Sequence, residues 1–180
     1  MRLYTRAGDR GTTTLIGGRK VSKASARVSV FGTIDELNSA IGVALAFLGD
    51  RKAAPILLRI QDELFTLGAE LASPEPGRGI PTVSAKHVAA LEKDIARFEK
   101  EFEGRKFVLP SGVKSAAFLH LARTIARRAE RKAVALSEAE PINPETVRYL
   151  NRLSTLLFIL AIHENRFAKV AERHPTYSPG

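Results

Sequence analysis

Six charged residues fall between positions 123 and 132 of this chain: Arg123, Arg127, Arg128, Glu130, Arg131 and Lys132. Wound as a helix at about 100° per residue, Arg123, Arg127, Glu130 and Arg131 share an arc of roughly 100°, and His120 falls inside it. Phe118, Leu121, Ala122, Ile125, Ala129, Ala133 and Leu136 take the opposite, apolar face. Arginine rather than lysine at 123, 127 and 131 suits two-point contact with phosphate oxygens. Glu130 would orient the guanidinium groups and offset their repulsion. An ordinary surface helix also sets charge opposite its core, so the stripe alone leaves a merely solvated face open.

A second group stands near the start of the chain. Thr5-Arg6-Ala7-Gly8-Asp9-Arg10-Gly11-Thr12-Thr13-Thr14 offers unobstructed backbone amides at its glycines, several hydroxyls and two arginines, and Lys20 and Lys23 follow. Such a segment can wrap phosphates through its N–H groups. It lacks the Gly-Lys pair and strand-to-helix setting of a Walker A loop, and an ordinary linker has a similar composition.

Other chemistries find no residues. The absence of cysteine removes disulfides, thiolate metal sites and thiol nucleophiles. His87, His120, His163 and His174 show no zinc-type spacing, no Glu-x-x-His pair supports a di-iron bundle, and no Gly-x-Ser-x-Gly elbow occurs. No metal site built from side chains is expected. The net charge of +9 seeks polyanions, and by itself it leaves a helical module for non-specific nucleic-acid binding open. No apolar run approaches the roughly 18 residues that span a bilayer, and the N-terminus turns polar at once, so a cytoplasmic protein is expected.

The elements that would carry these groups are helical. At 180 residues one core is expected, in a single domain spanning 1–180. Residues 1–32 show no helical period and read as an extended arm, with a helical bundle over 33–170 and a frayed tail over 171–180. Thr33-Ile34-Asp35-Glu36 has the form of a capping box and predicts a first helix over about 33–49. Apolar spacing predicts further helices over about 53–72, 85–103 and 113–137, and Asn143-Pro144-Glu145 starts a fifth that runs to about 170. The expectation is an all-α five-helix bundle with an N-terminal nucleotide-binding arm.

Read together, five stretches resemble the PduO-type ATP:cob(I)alamin adenosyltransferases. They are Tyr4 to Thr13, Phe31-Gly32-Thr33-Ile34-Asp35-Glu36-Leu37-Asn38, Phe107-Val108-Leu109-Pro110 with Leu119 to Thr124, Arg127-Arg128-Ala129-Glu130-Arg131, and Arg148 to Ser154. The resemblance implies a homotrimer with its sites between subunits, a neighbour's arm lying over the fourth helix. It implies ATP, carried with Mg²⁺, and cob(I)alamin or a related corrinoid as substrates, and a reductase that supplies the electron. It implies neither nucleic acid nor membrane as a partner. Thr5, Arg6, Ala7, Gly8, Thr13, Thr14, Lys23, Arg127, Arg128, Ala129, Glu130, Arg131 and Asn151 match the family's ATP-binding positions. Asp35 and Arg123 match a salt-bridged pair near the corrinoid and, with Arg127 and Glu130, form the implied catalytic set. Phe107 matches an aromatic residue that closes the lower axial face of cobalt. Two departures stand out: Ser111-Gly112 where Gly-Gly is common, and Thr155 where an Asp often follows the helix-five Asn. The implied reaction needs no protein nucleophile, only placement of the 5′ carbon and stabilisation of the leaving triphosphate. A non-catalytic nucleotide-binding relative would share these motifs.

Overall fold

The computed structural model describes residues 4, 6–75, 79–100 and 107–176. Thr12–Thr14 (β1) and Lys20–Ser22 (β2) pair antiparallel, with Thr13 opposite Val21, so the predicted extended arm contains a short hairpin. Gly17 and Gly18, at φ 98° and 90°, turn the chain between them in a backbone region that other residues rarely enter. The Ile16 amide then donates to the Ala72 carbonyl at 2.9 Å and Leu15 is buried, which moors the hairpin to the end of the second helix.

The first helix, α1, spans Ala26–Ala46, a start seven residues before the one expected. Thr33 does not cap it. Its hydroxyl donates to the Ser29 carbonyl at 2.7 Å, one turn back inside the helix, and accepts from Lys132 Nζ at 2.8 Å. By length and mean hydropathy (1.2) α1 would suffice to cross a membrane, contrary to the sequence expectation. Here Val30, Ile34, Leu37, Ile41 and Ala44 are buried against its neighbours, as in the core helix of a bundle.

A 3₁₀ turn at Arg51–Ala53, capped by Asp50, leads into α2, Ala54–Ala72, with Pro55 in its first turn. The third helix, α3, spans Ala85–Glu99, and residues 101–103 of its predicted end lie outside the described residues. Helices α4, Lys114–Ala139, and α5, Pro144–Phe167, complete the bundle. Asn143 caps α5 as expected, accepting from the Glu145 amide at 3.0 Å. It also donates to Glu70 and to the Val83 carbonyl, each at 2.7 Å.

Across the bundle α4 lies between α1 and α5, α2 flanks α1, and α3 flanks α5. The core is built from leucines of α2, α4 and α5 with Leu37 and Ile41. Two buried polar groups fix the layers. Tyr149 donates to Glu63 at 2.7 Å; burial, then the Glu63 carboxylate, holds its hydroxyl protonated well above the usual range. Glu164 accepts from the amides of Gly49 (2.8 Å) and Asp50 (3.2 Å) and from the Ser115 hydroxyl (2.6 Å), tying α5 to the α1–α2 turn and the start of α4.

The tail is not frayed as far as it is described. Lys169, at φ 57°, reverses the chain after α5, and Arg173 and His174 return to bond the segment preceding α4.

Candidate active site

Within α4, Ala129 is fully buried, which turns its neighbours outward on both sides. Arg127 and Arg131 are exposed and form no ion pair among the described residues; the Arg131 guanidinium donates only to the Arg127 carbonyl, at 3.1 Å. They stand one helical turn apart on a common face. The other charges of the stretch are engaged: Arg128 pairs with Glu36 of α1, and Lys132 reaches Thr33. Glu130 accepts from Asn151 Nδ2 of α5 at 2.8 Å, so two residues matched from distant motifs do meet. Arg152 then donates to Asn151 Oδ1 at 2.8 Å and is held from the far side by Glu92 at 2.9 Å. Glu92 thus sets a carboxylate beside this cluster, although Thr155 supplies none.

His120 and Leu121 are corrected by the structure. His120 is buried (1% exposed) rather than on the charged face, and Leu121 is half exposed rather than in the core. The helical wheel is shifted because α1 and α5 both press on α4 and bury a wider stripe than one partner would. Neither ring nitrogen of His120 finds a hydrogen-bond partner, and its ring lies 6.0 Å from that of Phe158. Burial, and next the Arg123 charge, lower its pKa to about 4. Arg123 is half-buried, its Nε also unpartnered, and burial followed by Arg127 lowers its pKa below the usual guanidinium range.

No ion pair joins Asp35 to Arg123 within the chain. Asp35 lies in the middle of α1, not its first turn, and lines a depression of about 280 Å³ beside Phe65 and Gly68 of α2, whereas Arg123 is on α4. In the arm, Thr5 lies outside the described residues. Arg6 adopts a left-handed backbone (φ 59°) that starts a turn, its carbonyl accepting from Asp9 at 3.2 Å. Gly8 leaves room for a cation: a Cβ there would stand 2.8 Å from Lys23 Nζ. Ala7 and Gly8 thus adjoin Lys23, while Thr13 and Thr14 lie on β1. The hydrogen bonds of the hairpin run within the arm and to Ala72 of α2.

Phe107 is 77% exposed in the segment leading to α4. Sequence reasoning missed what holds that segment. Asn165 Oδ1 accepts from the Val113 amide at 3.0 Å, and its Nδ2 donates to the Ser111 carbonyl at 3.1 Å and to Glu172 at 3.0 Å. Gly112 at φ 107° faces Asn165 so closely that a Cβ would fall 1.9 Å from Oδ1. In the Ser111-Gly112 pair it is therefore the retained glycine that the packing demands. No sequence signal marked Asn165, since an asparagine near a helix end is commonplace.

Known proteins resemble this chain over most of its length. A corrinoid adenosyltransferase of Bacillus subtilis is 48% identical over 166 residues, covering 89% of this chain and 85% of the relative. The corrinoid adenosyltransferase PduO of Salmonella typhimurium is 41% identical over 174 residues; the match covers 95% of this chain but only 52% of that longer protein. Among solved structures, a variant PduO-type ATP:corrinoid adenosyltransferase from Lactobacillus reuteri, complexed with cobalamin and ATP, superimposes with a TM-score of 0.93 at 32% identity. That match covers 98% of this chain and all of the other. The sequence model described as Cobalamin adenosyltransferase matches residues 3–164, and the chain belongs to that family.

Proposed function

We propose that this chain is an ATP-dependent corrinoid adenosyltransferase whose site is completed between subunits. The observation that carries the reading is the outward pair Arg127 and Arg131 beside the Glu130–Asn151 bond: two guanidinium groups with no ion pair among the described residues, on a face ordered from behind. The Co(I) of the reduced corrinoid attacks the 5′ carbon of ATP; a Co–C bond forms, the C5′–O bond breaks, and triphosphate leaves with the bonding pair. Arg127, Arg131 and Lys23 meet the charge that develops on the leaving group, where bidentate contacts count most. Mg²⁺ carried with the nucleotide would supply further charge neutralisation beside Arg127, Arg131 and Lys23.

The segment at Phe107 precedes α4, and Arg127 and Arg131 lie within that helix. Phe107 supplies an apolar wall that keeps water and a lower ligand from cobalt, which makes Co(II) easier for a partner reductase to reduce. Asp35 and Arg123 form no ion pair within the chain and would pair across subunits.

Assembly as a homotrimer is supported by exposed apolar side chains on three helices: Val43 and Phe47 of α1, Leu58 and Phe65 of α2, Leu121 and Val134 of α4. A neighbour's arm would lie over the outward face of α4. ATP as substrate argues for a cytoplasmic enzyme.

The test is an anaerobic assay with reductant, corrinoid and ATP that follows Co–C bond formation optically. Arg127→Lys keeps the charge but not the planar fork, and should lose about 3 kcal/mol of transition-state stabilisation, about a hundredfold in rate. Near-wild-type kcat/KM in a folded Arg127→Lys variant would overturn the assignment.

A further inference from the structure

We propose that the segment Ala168–His174 is a strap that sets the position of Phe107, with His174 as its positioning residue. The inference rests on the reading of Phe107 as the wall beneath cobalt, and it concerns what puts that wall in place.

Phe107 is too exposed for the core to hold its ring, so its position is set by its backbone. That backbone is gripped at alternate residues. The Leu109 amide donates to the Arg173 carbonyl at 2.7 Å, and His174 Nδ1–H donates to the Phe107 carbonyl at 2.8 Å. A carbonyl only accepts, so the proton is on Nδ1. The strap is anchored in turn: the Val170 amide donates to the Asn165 carbonyl at 2.8 Å, and Glu172 takes the Asn165 side-chain amide. Asn165 is 1% exposed and also holds Ser111 and Val113, so one rigid residue at the end of α5 fixes both strap and loop.

Apolar packing does not replace these bonds. An open groove of about 450 Å³ lies between the two segments, lined by Ser111, Gly112, Val113, Val170 and Arg173. With a groove rather than packed side chains between it and the strap, the loop's register depends on a few hydrogen bonds, and the bond nearest the ring is that from His174. This imidazole touches no reacting atom, and it acts through the backbone of Phe107.

The experiment compares His174→Ala, His174→Asn and Phe107→Ala in the full chain. Asparagine Nδ2 sits where the imidazole Nδ1 does and can donate the same bond. The readouts are kcat, KM for ATP, thermal unfolding, and the fraction of four-coordinate Co(II) in the corrinoid–ATP complex by its electron paramagnetic and optical spectra. His174→Ala should lower kcat and the four-coordinate fraction about fivefold, with KM for ATP and unfolding unchanged. His174→Asn should restore both, and Phe107→Ala should lose more than His174→Ala. The ring of His174 is exposed, so the substitution leaves the core intact. Ending the chain after Val170 removes the Arg173 and His174 contacts together and should exceed His174→Ala. A wild-type four-coordinate fraction in His174→Ala, where Phe107→Ala loses it, overturns the strap. A wild-type fraction in Phe107→Ala overturns instead the reading of the wall on which it rests.

Discussion

Replacing His120 by leucine should make the protein more stable at neutral pH and flatten its response to acid. The imidazole is 1% exposed, both nitrogens lack partners, and its pKa is lowered from 6.5 to about 4. The sign follows from which state binds the proton more readily. Above 6.5 the group is neutral in both states and contributes no pH dependence. As pH falls from 6.5 towards 4 the unfolded chain takes up a proton that the folded chain refuses, so stability is lost across that window. At about 1.4 kcal/mol per pH unit, the full loss is about 3 kcal/mol. Asp50 does not confuse the measurement: the Lys52 amide lowers its pKa below 3.8, so its loss comes at still lower pH. Leucine removes the unpaired nitrogens and should add about 1 kcal/mol at neutral pH. The assay is urea unfolding at fixed protein concentration from neutral pH down to pH about 4, wild type against His120→Leu. An unchanged acid slope in the variant would refute the argument, showing that a group outside the chain pairs with His120 in solution.

Two further outcomes follow from the division of the site. Deleting residues 1–23 should abolish ATP binding by calorimetry while leaving helical circular dichroism largely intact, because α1 begins only at Ala26. Since Asp35 and Arg123 do not meet within a chain, a double-mutant cycle with Asp35→Asn and Arg123→Ala on corrinoid turnover should give coupling above about 1 kcal/mol, and additive losses would mean the two act separately.

The helices that carry the site were legible because their apolar spacing is regular and one cap is strong: Asn143-Pro144-Glu145 starts α5 as written. The start of α1 was not. Thr33 and Glu36 have the spacing of a capping box, but a threonine inside a helix can bond the carbonyl one turn back, and Thr33 does. The pattern is necessary for a cap and not sufficient. His120 was misplaced because a wheel assumes one buried face, whereas α4 has two neighbours. Arg127, Arg131, Glu130 and Asn151 were legible as residue types, yet only the fold joins Glu130 to Asn151 across two helices. The grip of Asn165 on the Phe107 segment had no sequence mark, because it depends on the backbone direction of a loop and a returning tail.

The position of α1 between α2 and α4 has a consequence for synthesis. Arg27 at its start meets Glu140 at the end of α4, 113 positions later. A ribosome therefore releases the helix with the most lipid-like composition well before its second partner exists, and α2 can shelter only one of its sides. Until α4 emerges, Val30 and its neighbours present a greasy stripe of the kind that holdase chaperones and membranes capture. Nascent chains stalled before Lys114 should accordingly bind a general holdase, and chains stalled beyond the end of α4 should not; equal binding by both would mean that α2 alone conceals the stripe. The order of helices in the chain, rather than their final stability, then sets how much help this protein needs at birth.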